Sequence, residues 1–161
     1  MPFDVIVGPL QCPNCGAEDV AEIQTRIRGG SADGSGLDIG FEFDAVDLKT
    51  ERLLGRGYAL VRAPAVGEPI RLLDVWSCWT CETEQWAVVE IANRTLRSVE
   101  AVTLDQATLD SANFISEVNA FVLAEYLRGD RLASRDDAVA ELRRLLPQAR
   151  DGSSAMDTDA R

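Results

Sequence analysis

Histidine is missing from the whole sequence. Its absence removes Ser-His-Asp and Cys-His nucleophile systems, and His-ligated catalytic metals in their usual forms. It also removes the side chain most used for proton transfer near neutral pH. Lysine is nearly missing too. Lys49 stands alone, and 27 acidic residues against 16 basic ones leave a formal charge of −11. Affinity for a phosphate backbone comes mainly from Lys and Arg, so nucleic acid is a disfavoured partner. A protein partner with a basic surface suits this charge better, although solubility through net charge explains it equally well. Long apolar runs are absent as well. Stretches such as Trp86 to Val89 fall far short of the roughly 20 residues a spanning helix needs, so no membrane role is expected. The start, Met1-Pro2-Phe3-Asp4, has neither the basic nor the long apolar region of a secretory signal, which points to the cytoplasm.

What is present is an ordinary globular composition, with 161 residues, 46% of them apolar and 27% charged. Such a chain buries roughly two-thirds of its unfolded surface and needs no metal merely to have a core. Its four cysteines nonetheless come as two pairs, Cys12-x-x-Cys15 and Cys78-x-x-Cys81. Disulfides are rare in the cytoplasm, so this spacing reads as a metal site. Two residues between cysteines let both sulfurs of one tight turn face the same ion, and two such turns complete a tetrahedron. Pro13 fixes the first turn, and Gly16 frees the backbone so that amides point back at the sulfurs. Four thiolates leave no open coordination position, so the metal is expected to be structural and not a Lewis acid.

The spacing of apolar residues outlines the elements. Val5 to Val7 form a strand up to Gly8-Pro9. Ala21, Ile23, Thr25 and Ile27 alternate with Glu22, Gln24, Arg26 and Arg28 as a half-buried strand. After a Gly/Ser loop over 29–36, Ile39, Phe41 and Phe43 alternate with Asp38, Glu42 and Asp44. The two alternating segments suggest a long hairpin with a carboxylate face. A turn or short helical piece over 45–57 leads to strands at Tyr58 to Arg62, Ile70 to Trp76, Trp86 to Ile91 and Leu96 to Thr103. Phe114, Ile115, Val118, Phe121, Val122 and Tyr126 then predict a helix over 106–128 that covers the sheet and ends at Gly129. Ser134 caps a last helix carrying Ala138, Val139, Leu142, Leu145 and Leu146. Residues 151–161 have no apolar pattern and read as a disordered tail.

The Cys-Pro-x-Cys-Gly turn at 12–16, the second Cys-x-x-Cys at 78–81 and the strand pair at 86–103 resemble the zinc-ribbon superfamily. That resemblance implies that two cysteine-bearing hairpin turns clamp a structural Zn2+, with Cys12, Cys15, Cys78 and Cys81 as ligands. Two features depart from it. Residues 16 through 77, 62 in all, separate the pairs where about 15–20 is usual. Glu82 also stands where the second turn would carry glycine. A rubredoxin-like iron site is the competing metal, with Trp76, Trp79 and Trp86 as its aromatic surround.

The sequence therefore predicts an α+β fold, an antiparallel sheet of about five to seven strands with a zinc knuckle pair and two C-terminal helices. Residues 1–104 form the β domain with a β-rich insertion over 17–77, and 105–150 a helical segment packed on it. No catalytic constellation stands out. The expected function is a non-catalytic adaptor or inhibitor of the immunity type, docking through Trp79 and the carboxylates Glu22, Asp38, Glu42 and Asp44. The alternatives are a zinc ribbon of transcription or translation, whose best basic cluster is Arg131, Arg135, Arg143 and Arg144, and an iron electron carrier. The C-terminal helices offer a homodimer surface.

Overall fold

The computed structural model describes residues 3–148. Within them the α+β class holds, with eight strands in two sheets and four helices. The tail expected at 151–161 lies outside the described residues.

Strand β1 (Asp4–Gln11) pairs antiparallel with β2 (Glu18–Thr25) along its full length, Asp4 opposite Thr25 and Gln11 opposite Glu18. A two-residue strand, β3 (Gly36–Leu37), runs parallel along the other edge of β1. The long hairpin expected between 21–28 and 38–44 is thereby corrected. The tight turn over 12–16 joins β1 to β2 through a shorter loop than the glycine-rich segment offers, and short loops cost less closure entropy. Residues 38–44 instead cross to the second sheet, where Glu42 bridges Thr95 and the Phe43 amide donates to the Arg94 carbonyl at 2.8 Å. Phe43 is fully buried there, while Ile39 is left exposed.

Helix α1 (Thr50–Gly55) and strand β4 (Tyr58–Leu60) follow. Strands β5 (Ile70–Ser77), β6 (Glu84–Ala92) and β7 (Thr95–Val102) form an antiparallel meander. Asn93 and Arg94, both at positive φ, make its two-residue turn, which matches the twist of the flanking strands. Strand β6 is apolar on both faces because both faces are covered. Ala87, Val89 and Ile91 meet the first sheet, while Trp86 and Val88 meet the helices.

The single helix expected over 106–128 is broken in two. Helix α2 (Gln106–Ser111) stops at Ala112, strand β8 (Phe114–Ser116) inserts between β4 and β5, and α3 (Glu117–Arg128) resumes. Asn113 causes the break. Its side chain is fully buried, with Oδ1 accepting from the Arg71 amide at 2.8 Å and Nδ2 donating to the Arg62 carbonyl at 3.1 Å. Those two bonds satisfy buried backbone groups that a continuous helix would leave without partners. The expected covering stripe is corrected with it. Phe114 and Ile115 are strand residues, Val118, Val122 and Tyr126 face outward, and Ala120 and Ala124 cover the sheet. The chain then turns through Ser134, whose Oγ accepts from the Asp136 amide at 3.1 Å, into α4 (Ala138–Leu145).

The result is three layers. The β2-β1-β3 sheet packs on one face of the β4-β8-β5-β6-β7 sheet, and α2, α3 and α4 cover the other. Leu72 and Leu73, adjacent on β5, point into the two different cores. No helix among the described residues is long and apolar enough to cross a membrane.

Candidate metal centre and adjoining cleft

Two hairpins from two different sheets meet at their tips, and each tip is a cysteine turn. In the β1–β2 turn, the Gly16 amide donates to the Cys12 carbonyl at 2.9 Å and the Cys12 amide to the Ala17 carbonyl at 2.9 Å. The β5–β6 turn repeats this pattern. The Glu82 amide donates to the Cys78 carbonyl at 2.8 Å and the Cys78 amide to the Thr83 carbonyl at 3.0 Å. The residue after the second cysteine is left-handed in both, Gly16 at φ +78° and Glu82 at φ +59°. Backbone geometry, not sequence identity, makes the two turns equivalent.

The sulfurs converge accordingly. Cys12 Sγ lies 3.7 Å from Cys81 Sγ, Cys15 Sγ lies 3.7 Å from Cys78 Sγ, and all four fall within 4.8 Å of one another. A tetrahedral site with metal–sulfur bonds of about 2.3 Å has edges of about 3.8 Å. The four cysteines are therefore placed to hold one metal ion, and their donor set suits zinc or iron. Both short contacts run between turns, so the ion would fasten one hairpin to the other. Cys12 and Cys78 are buried, whereas Cys15 is exposed at the rim.

Neighbouring polar groups prepare the sulfurs unequally. The Asn14 side-chain amide, and then the Thr83 hydroxyl and amide, hold the Cys81 thiol down at about 6. Gln85 in turn donates to Thr83 Oγ1 at 2.8 Å and fixes its rotor. The Ala17 amide lowers Cys15, but partial desolvation against the cluster and the three neighbouring sulfurs outweigh it and push that thiol up to about 12. A dication among the sulfurs favours the thiolates, so binding should release protons. Thr80 adds a direct tie between the turns, donating to Asp19 on β2 at 3.0 Å.

Glu82 carries the strain of this arrangement. A left-handed residue with a Cβ costs roughly 1–2 kcal/mol, partly offset in glycine by its greater chain entropy. The Glu82→Gly variant is expected to be about 1 kcal/mol more stable, or roughly 3 °C higher in melting temperature. Glu82→Ala, which keeps the Cβ, should gain little. Thermal unfolding of the metal-loaded variants checks this, and equal melting temperatures for Gly and Ala would refute it.

The residues expected at a docking surface are split. Trp79 stands 68% exposed on the second turn, and Glu22 lies on β2 along the same cleft. Asp38, Glu42 and Asp44 lie beyond β3, on the opposite side of the first sheet, where Glu42 meets Arg94 at 3.3 Å. The cleft measures about 440 Å³ and runs between β2 and β5 beside the second turn. At its floor is a pair that sequence reading missed, Asp74 and Tyr58. Tyr58 Oη donates to Asp74 Oδ2 at 2.9 Å and accepts from the Arg26 amide at 3.2 Å. Burial pushes the Asp74 carboxyl up to about 8, against the Tyr58 hydrogen bond and the Arg26 charge. The Tyr58 phenol is likewise held well above its ordinary range, first by burial and then by Asp74. A signal was available, since Asp74 is in phase with Leu72 and Trp76, the inward residues of an apolar strand.

Comparison of the chain with family models, with curated proteins and with solved structures finds no match. What the chain shows of itself is a mixed α+β protein with four cysteines placed to hold a metal ion.

Proposed function

We propose that this is a zinc-stabilised, zinc-ribbon-like protein-binding module, a non-catalytic adaptor or inhibitor that docks a basic protein partner. An inhibitor of the immunity type is one form of it. The observation that carries the reading is the second cysteine turn. It holds a largely exposed tryptophan beside a cleft flanked by Glu22 and Glu84, on a frame that a closed four-sulfur site would keep rigid. Exposed tryptophans on rigid supports are frequent binding hot spots. The charge of −11 would speed encounter with a basic surface.

The nucleic-acid reading is weakened by the state of its arginines. Arg143 is held by Asp110 at 3.3 Å and by the Val61 carbonyl at 3.0 Å, and Arg144 by Glu141 at 2.9 Å. The iron-carrier reading differs in one visible property, a red colour. Pull-down from extracts of the source cells, with wild type and Trp79→Ala as paired baits, tests the proposal. The expected result is a basic protein retained at low salt, released at high salt and lost with Trp79→Ala. Recovery of no protein even at low salt would refute it.

A further inference from the structure

Resting on that reading, we infer that the cleft receives an arginine side chain of the partner, its guanidinium seated against Asp74 and the face of Trp79. Five observations carry this. Asp74 is 3% exposed and lines the cleft. Its Oδ2 is engaged by Tyr58, but its Oδ1 accepts no hydrogen bond from the described residues. Oδ1 is not among the fully buried atoms that lack a partner, so it meets the solvent of the cleft and is open to a donor that enters there once the carboxyl is ionised. The rim adds charge of the same sign, from Glu22 on β2 and Glu84 on β6. Arg26 is the one cation among the lining residues, and its guanidinium lies over Gly57, with Nη1 2.9 Å from where a Cβ would stand. Trp79 supplies the aromatic wall on which a guanidinium stacks.

The chemistry favours arginine over lysine. A guanidinium is planar and weakly hydrated, gives paired donors to a carboxylate, and lies flat on an indole. A lysine ammonium is a strongly hydrated point charge and would give up more hydration to reach the floor.

Occupancy is tied to a proton. With Arg26 donating to Tyr58 and Tyr58 donating to Asp74 Oδ2, the proton of the neutral acid belongs on Oδ1, the oxygen the guanidinium would use. Proton and ligand compete for one atom. The groups facing Asp74 are Glu22 from β2, Arg26 just after it, Tyr58 from β4 and Glu84 from β6, with Asp4 of β1 acting through Tyr58. Those that β8 and α3 contribute, Ser116, Val118 and Asn119, do not titrate. Affinity should therefore rise with pH as Asp74 loses its proton.

The test is calorimetric titration of the full metal-loaded chain with three octapeptides of alternating glycine and arginine, lysine or citrulline. With both peptide ends blocked, so that no α-amino group titrates near 8, the arginine peptide has no group that titrates in this range, and any pH dependence belongs to the protein. The expected result is binding of the arginine peptide, several-fold weaker binding of lysine and none of the neutral citrulline. The arginine peptide should bind on the order of tenfold more tightly at pH 8.5 than at pH 6.5. Asp74→Asn, whose amide can still accept from Tyr58, should weaken binding and flatten the pH profile. Trp79→Ala should weaken it without flattening. Equal binding of arginine and citrulline, equal binding of arginine and lysine, or an unchanged profile in Asp74→Asn would each overturn the inference. A basic protein captured regardless of Asp74 refutes the cleft but not the binding module. Arginine binding with no protein partner does the reverse.

Discussion

Removing the metal, or replacing Cys78 with serine, is expected to lower the melting temperature by about 10 °C or more while leaving most of the secondary structure in place. The reasoning starts from where the sulfurs sit. Cys12 and Cys78 are buried at the ends of β1 and β5, in the same core as Trp76, Leu10 and Ala21. Without the ion the tie between the two hairpin tips is reduced to Thr80–Asp19 and Asn14–Cys81. Structural zinc contributes on the order of 10 kcal/mol of apparent folding energy in small domains that have no other core. Here the layers keep their own cores, around Leu72 and Phe114 on one side and Ile115 and Leu142 on the other. The loss should therefore be about 3–5 kcal/mol, or roughly 10 °C at 2–4 °C per kcal/mol. Hydrogen exchange should localise it, with faster exchange at 11–18 and 77–84 and little change in α4. Serine at exposed Cys15 should cost less than serine at Cys78. Uniform loosening of the whole chain, or no loss at all, would contradict the clamp.

The Asp74→Asn variant is expected to be more stable than the wild type above neutral pH and nearly equal to it at pH 4. Asp74 has an ordinary value near 4 in the unfolded chain and about 8 in the folded one. For an acid raised in this way, the favourable state is the protonated one. Below pH 4 both forms hold the proton and burial carries no penalty. Between pH 4 and 8 the unfolded chain releases the proton while the folded chain retains it, so stability falls as pH rises. Above about 8 the penalty is constant. Each pKa unit is worth about 1.4 kcal/mol, and relaxation at the cleft mouth reduces the total, leaving on the order of 3 kcal/mol at pH 9. Asparagine never ionises and avoids it. Urea unfolding of both proteins at pH 4, 7 and 9 gives the comparison, and curves that stay parallel across that range would contradict the assignment of Asp74.

Carboxyls kept in place at such a cost are frequent at binding and reactive sites. The strained Glu82 and the buried Asp74 lie at either end of the same segment of β5 and its turn, so the two local sacrifices fall within the region proposed to meet the partner.

The cysteine cluster was legible because its chemistry is written in short spacings. The β5–β6–β7 meander was legible because each strand is joined to the next by a tight turn and β6 is apolar throughout. Long-range pairing was less accessible. Nothing local in Phe114-Ile115-Ser116 distinguishes a strand from a helical turn, and its partners β4 and β5 lie far away in the chain. Only a buried asparagine, with no proline or glycine beside it, marks the break. The same limit explains α3. Its apolar residues surround the helix, so Val118, Val122 and Tyr126 show the spacing of a core stripe although Ala120 and Ala124 form the real one. The hairpin error had a different origin. Two alternating segments that follow one another suggest a hairpin, but the tight cysteine turn joins β1 to β2 over a shorter loop and takes the pairing.

The most direct measurement is metal and thiol content on protein purified without added metal, read together with its visible spectrum. The expected result is one colourless ion, zinc, per chain and four cysteines that react with a thiol reagent only after a chelator is added. One iron in a red protein would keep the clamp and change the metal. Chains without metal, whose four cysteines are freely reactive or joined as disulfides, would contradict a metal clamp at the two turns.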